Sequence, residues 1–243
     1  MALLTTQEFL AQGLADLPQC DELCGPFWAA AALRAAGFGV TQEEAAAVAG
    51  SVLLPPGSPS SLPPRERGRK PLGHLPVAAP GAPAGTSAHG VARAISELSG
   101  GRLTAVPASG DWTAGRLVHL LDAVRAPVIA NILTGELWDP SATDEHVERY
   151  LETGIDDGPP SAWQVGHFLA IAHVVLGGAA PLLVLVDSYP SRVMHRQPAQ
   201  RVADSLRGRG LLLVTEEPQA ARAQVRAAGL EPVLWDNGSP MPA

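Results

Sequence analysis

Apolar positions along this chain follow a helical period in the first half and a strand-like pattern in the second. From Thr6 to Ala15 the apolar residues Phe9, Leu10 and Leu14 fall at helical spacing, with Thr6 as the expected cap. An alanine-rich run from Gly25 to Ala36 reads as a second helix that stops at Gly37. Thr41-Gln-Glu-Glu44 is a capping pattern that opens a third helix through Ala49. Further helices are expected near Ser87–Ser99, ending at Gly100-Gly101, and over Asp111–Val124, where Leu117, Leu120, Leu121 and Val124 line one face. Beyond that point β-branched runs take over. Ala126–Leu133 is one strand; Gln164–Val175 and Pro181–Asp187, joined through Gly177-Gly178, form an adjacent antiparallel pair. A helix near Ala199–Leu206, a strand at Gly210–Thr215, a helix at Glu217–Ala228 and a short strand at Pro232–Trp235 complete the pattern. The class is α+β, with a mainly helical part (1–125) and a mainly sheet part (126–243). No linker divides them, so 1–243 reads as a single domain.

One stretch has no period. From Leu54 to Gly85 prolines and glycines recur, beginning with Leu54-Pro-Pro-Gly-Ser-Pro-Ser-Ser-Leu-Pro-Pro64. It is too long for a routine connection within one domain, which leaves a flap over a site or a disordered segment. His74 and His89, within and just after it, are expected to face solvent.

Composition narrows the function classes. Hydrophobic residues make up 46% and charged residues 17%, which is globular rather than disordered. The net charge of −7 and the lack of a basic cluster beyond Arg65–Lys70 argue against a nucleic-acid partner. No apolar run approaches the roughly 18 residues of a membrane span, and the N-terminus lacks a signal-peptide pattern. The expected location is the cytoplasm. Two cysteines, Cys20 and Cys24, are too few for a disulfide framework. With no second Cys pair or His cluster beside them, a structural zinc is not expected either. No metal or organic cofactor is implied.

The chemistry concentrates in Leu17-Pro-Gln-Cys-Asp-Glu-Leu-Cys24-Gly-Pro-Phe-Trp28. Cys24 stands where a loop turns into the alanine-rich helix. The unpaired N–H groups and positive dipole end of a helix N-terminus favour a thiolate there. Gln19, five residues upstream, is a candidate oxyanion donor. Cys20 precedes Asp21 and Glu22, whose charges disfavour a thiolate, so Cys24 is the expected reactive thiol. A Cys20–Cys24 disulfide would consume it. Downstream, His167 opens an apolar strand after Gly166, and Asp187 closes the next one. A hairpin between them brings the carboxylate to one ring nitrogen of His167 and leaves the other for Cys24. His173, six residues on, is expected on the same strand face but about 20 Å away, in a structural role. The competing explanations are ordinary ones: a buried cysteine as a small core residue, a histidine satisfied on its strand, a carboxylate beside a turn.

Cys24-Gly-Pro heading a helix, Gln19 just before it, a strand at Ala126-Pro-Val-Ile129, then Gly166-His-Phe168 and Val186-Asp187 occur in an order that resembles the papain-like cysteine peptidases. The bacteriocin-processing, double-glycine-leader branch is the most similar. The resemblance spans about Leu17 to Thr215. It implies a helical subdomain carrying the cysteine, packed on an antiparallel sheet carrying His and Asp. It also implies a Cys24–His167–Asp187 triad with Gln19 at the oxyanion, and Trp28, Trp163 and Gly166 near the substrate. Gln19 stands one residue closer to the cysteine than is usual in that family. Bulky Phe27-Trp28 replaces small residues, and the Pro-rich stretch has no counterpart.

The expected activity is cleavage of a peptide or amide bond, in the setting of bacterial peptide maturation. The same triad serves an acyl-transferring cyclase or transglutaminase-like enzyme. A third alternative is a catalytically silent papain-like protein that binds peptide, with Trp28, Trp138 and Trp163 as its recognition surface.

Overall fold

Capping chemistry starts most of the helices. The computed structural model describes residues 4–58, 61–71 and 75–241. Helix α1 (Thr6–Ala15) begins on a box in which Thr5 and Glu8 exchange hydrogen bonds, so the cap is Thr5 rather than Thr6. Helix α2 (Cys24–Ala35) has no side-chain cap. Helix α3 (Gln42–Ala49) opens on the Thr41/Glu44 box and ends at Gly50 in the left-handed conformation. Ser87 and Thr113 cap α4 (Ala88–Leu98) and α5 (Ala114–Ala123). The remaining helices are α6 (Asp144–Thr153), α7 (Ala199–Ser205) and α8 (Pro218–Ala227).

Six strands form one open antiparallel sheet: β1 (Thr104–Ser109), β2 (Val128–Leu133), β3 (Gly166–Val175), β4 (Leu182–Val186), β5 (Met194–Pro198) and β6 (Gly210–Thr215), in the order β1-β6-β2-β3-β4-β5. Among the described residues, then, the architecture is α+β with eight α-helices. Residues alternate between two cores. Ile129, Phe168, Ala170, Val186, Leu212 and Val214 pack with α1, α2 and α4. Val128, Ala130, Leu169, Ile171, Leu183, Leu185, Leu211 and Leu213 pack with α5, α7 and α8. A sheet covered on both faces needs an apolar side chain at every position, which is why its central strands read as continuous apolar runs.

Four segments depart from the sequence pattern. The edge strand β1 carries Pro107 opposite Leu212, a residue that an edge tolerates and an interior strand does not. It joins the first half of the chain to the sheet. The other edge, β5 (Met-His-Arg-Gln-Pro), is polar, as exposed edges tend to be. Helix α6 buries little beyond Val147 and Tyr150, and its capping box uses His146 in place of Glu or Gln. Pro232–Trp235 is not a strand. Glu231 makes an isolated bridge to Ser109, and Trp235 buries its ring instead.

The β3–β4 pair matches the expected hairpin, with Ala170 opposite Val186. A register shift between Ile171 and His173 interrupts the two-residue period, so the same-face relation of His173 to His167 does not hold. His173 is exposed.

Candidate active site

Cys24 is the first residue of α2, where backbone N–H groups have no acceptor within the helix. The next residue explains how that helix end reaches the sheet. A Cβ on Gly25 would lie 2.6 Å from Val91 Cγ2 and 3.2 Å from the Phe168 ring. Only glycine lets α2 sit this close to α4 and to the start of β3. Cys24 is thereby set beside the residue preceding Phe168, which is His167, and both line one cleft of about 280 Å³.

His167 Nε2 is 3.0 Å from Asp187 Oδ1, which leaves Nδ1 as the ring nitrogen open to Cys24, a side chain near enough to raise the proton affinity of the ring. Burial works against an imidazolium here. Asp187 and then Cys24 outweigh it, and His167 is held well above the ordinary histidine range. Burial likewise opposes the Asp187 carboxylate, but His167, with smaller help from His195 and the Ser188 backbone, keeps it below the usual range. Asp187 also accepts the Ser188 hydroxyl at 3.4 Å and the Tyr189 N–H at 3.3 Å. The aspartate therefore has the partners that a buried charge requires.

The His167 ring packs with two aromatics that also meet each other edge-on at 5.9 Å. Trp163 is tilted against it at 4.8 Å, and Tyr189 stacks on it at 5.9 Å. Tyr189 also receives a 2.9 Å hydrogen bond from Gln19 Nε2, while Gln19 Oε1 accepts from the Ser188 hydroxyl. The Gln19 N–H donates to Ser188 O at 3.1 Å, tying the loop before α2 to the end of β4. A turn closed by Leu23 N–H to Cys20 O, with Glu22 at a φ of 62°, carries the chain from Gln19 to Cys24. That turn absorbs the short spacing, and Gln19 lines the cleft together with Cys24. Gly166 and Trp163 line it as well.

The Pro-rich stretch borders this cleft. Leu54, Ser61 and Ala84–Thr86 line it, and Trp163 Nε1 donates to Ser61 O at 2.8 Å. Asp21 and Arg69 exchange hydrogen bonds, and Glu66 accepts the Ser191 N–H at 2.7 Å.

Other candidates lie elsewhere. Trp28 is not a cleft residue: its ring is fully buried against Phe9 and Phe27 and over Gly13, filling the space between α1 and α2. Trp138 is also core, packed edge-on against Tyr150. Both are therefore unavailable as recognition surface. His119 is exposed on α5, and His146 serves the cap of α6. His89 is half-buried, with Nδ1 closed off from solvent, rather than exposed; His74 lies outside the described residues. Cys20 and Cys24 are not disulfide-bonded. Cys20 is fully buried with its thiol 3.5 Å from Glu43, and burial followed by that charge pushes it up to about 12. Glu43 and desolvation, rather than Asp21 and Glu22, suppress its thiolate.

Sequence reasoning passed over Ser188, Tyr189, Asn131, Arg209 and His195. Ser188 and Tyr189 directly follow Asp187 and could have been found by asking what satisfies a carboxylate at a strand end. Asn131, a polar residue inside the β2 apolar run, was a comparable signal. It is 1% exposed and accepts from Arg209 Nη1 at 2.9 Å and Trp235 Nε1 at 3.1 Å. His195, on β5 opposite Leu185, accepts from Gln197 at 2.8 Å, and its Nε2 is buried without a partner. Burial pulls it down to about 4 despite Asp187 nearby. No sequence signal marks it.

These features define an α+β protein whose cleft is lined by a helix-terminal cysteine and a histidine backed by a buried aspartate. Residues 3–236 match a family of unknown function, DUF6885, and the chain belongs to that family. No curated protein and no solved structure matches it. Among the described residues no helix is long and apolar enough to cross a membrane. No group of three or more His, Cys, Asp or Glu side chains there is arranged to hold a metal ion.

Proposed function

We propose that this protein is a cysteine peptidase-like hydrolase with a papain-like arrangement, acting on a peptide or amide bond. The supporting observation is the nearly dry His167–Asp187 pair with Cys24, at a helix N-terminus, on the other side of the imidazole. A buried ion pair stabilises a fold little or no better than apolar side chains of similar size, so its presence beside the cleft favours a role in the site.

In this mechanism the Cys24 sulfur attacks the carbonyl carbon, forming a C–S bond and an oxyanion. The Cys24 N–H serves that oxyanion; the Gln19 amide, which donates to Tyr189 and to the Cys20 carbonyl, joins it by giving up one of those bonds. The raised His167 supplies its proton to the leaving nitrogen as the C–N bond breaks, and Asp187 stabilises the imidazolium beforehand. Water then attacks the thioester. His167 accepts its proton, the C–S bond breaks to release the acid, and the starting Cys24 thiolate and His167 imidazolium are restored.

The test is incubation with a mixture of blocked peptides, read by product mass. Thiol-dependent cleavage that vanishes in Cys24→Ala and His167→Ala is the expected result. Products joined to an added amine would instead indicate acyl transfer. Binding without turnover, and no labelling by an electrophilic thiol probe, would overturn the enzyme reading.

A further inference from the structure

Arg209 is a cation in the candidate cleft without an anion to match it. It lies between α7 and β6, half-buried, and lines the cleft together with Cys24 and His167. Among the described residues no carboxylate pairs with it. Its guanidinium donates through Nη1 to the Asn131 side-chain oxygen, a neutral acceptor that orients the group without cancelling its charge. Asn131 is itself braced by Trp235 Nε1 and donates back to His167 O at 3.4 Å. Burial disfavours the guanidinium's charge, and Cys24 is the side chain that partly offsets this. Glu22, a carboxylate on the same cleft wall, instead holds the Leu54 N–H at 2.8 Å.

Gly166 completes the cradle. A Cβ there would lie 2.8 Å from Arg209 Nη2 and 2.9 Å from Nη1, so the guanidinium rests against the bare backbone immediately before His167. The fold thus provides a buried amide to aim the fork, a glycine to admit it and no acid to neutralise it. Arginine presents several N–H donors in a plane, matched to a carboxylate. Partial desolvation makes an unmet charge costly until one arrives.

We infer that Arg209 recognises a carboxylate of the substrate, making this a site for acidic peptides; the inference rests on the hydrolase reading above. The carboxylate comes either from a Glu or Asp side chain flanking the scissile bond or from a free C-terminus. The probes are quenched fluorescent hexapeptide pools with one position fixed as Glu or Gln. A parallel set carries a C-terminal acid or amide.

The expected result is a preference of about tenfold or more in kcat/KM for the charged member at one position, as a charge-assisted hydrogen-bond pair provides. Arg209→Met should bring that ratio to near one, and Arg209→Lys should keep part of it. The position that shows the preference identifies the source of the carboxylate. Thiol-dependent cleavage with no charged-over-neutral preference, or a preference untouched in Arg209→Met, overturns the inference and leaves the hydrolase reading standing.

Binding is measured separately by titrating the same peptides into Cys24→Ala and into Cys24→Ala/Arg209→Met. If no peptide is cleaved but the charged peptides bind tighter only when Arg209 is present, the hydrolase reading fails and carboxylate recognition survives. Equal binding of charged and neutral peptides overturns it. Circular dichroism of each variant confirms that the fold is retained, and Arg209→Lys carries the comparison if Arg209→Met unfolds.

Discussion

Asp187 Oδ1 meets His167 Nε2 at 3.0 Å, with the two side chains only 2% and 3% exposed. A pair this dry is stable only while both members remain. Removing the acid strands a cation-forming ring beneath Trp163 and Tyr189. Asp187→Ala is therefore expected to lower unfolding stability by about 3 kcal/mol or more. Urea denaturation of the variant checks this, and a loss below about 1 kcal/mol would mean the pair is not closed off as described.

The two buried histidines should titrate in opposite directions. His167, held up by Asp187 and Cys24 against its burial, is raised to about 10, so it stays protonated well into the alkaline range. His195, lowered to about 4 chiefly by burial, stays neutral in mild acid. Imidazole nitrogen NMR distinguishes them directly. A His167 that loses its proton at the ordinary pH would contradict the assignment.

Stability should follow from these shifts. The His167 contribution is complete below the ordinary histidine value near pH 6.5 and is lost as pH rises through about 10. The His195 contribution has the opposite sign. It is complete above pH 6.5 and is lost as pH falls toward about 4, because the unfolded chain takes up a proton that the folded one refuses. His195→Gln should flatten the acid limb of a denaturation-midpoint profile between those values and leave the alkaline limb unchanged. An unchanged acid limb would show that other groups dominate it.

Iodoacetamide should modify Cys24 well before Cys20. The Cys20 thiol is buried, beside Glu43 and pushed up to about 12, whereas Cys24 is half-exposed in the cleft. Peptide mapping after brief alkylation decides it. Preferential modification of Cys20 would remove the basis for the proposed site.

The Pro-rich stretch should behave as part of the cleft. Trp163→Phe keeps an aromatic ring near His167 but cuts the bond to Ser61 O, costing about 1 kcal/mol and exposing the segment to protease. Replacing 58–81 with a short Gly/Ser bridge should leave a folded protein whose turnover or substrate binding collapses. Full turnover in that deletion would make the segment dispensable.

Much of the local structure was legible in the chain. The helix cap at Thr41, the helix near Ser87–Ser99 and the apolar runs of β2, β3, β4 and β6 are short-range features that depend on neighbouring residues. The edge strands β1 and β5 were not legible, because edges permit Pro107 and the polar Met194–Gln197 run and so dilute the strand pattern. Trp28 was misplaced for a related reason. A bulky residue next to a candidate cysteine looks the same in sequence whether its ring turns toward a cleft or into Phe9 and Phe27.

The sequence alone determined which side chains are candidates for the chemistry, since a thiol at a helix start, an imidazole and a carboxylate are properties of residue type and local conformation. Only the tertiary structure decided their company. It placed Cys24 against His167 through the close seat of Gly25. It clustered the imidazole with Trp163 and Tyr189, and it left Arg209 facing the cleft without a paired carboxylate. Proximity between distant chain segments, and the burial that comes with it, set the charge states here, and neither is written in the spacing of residues along the chain.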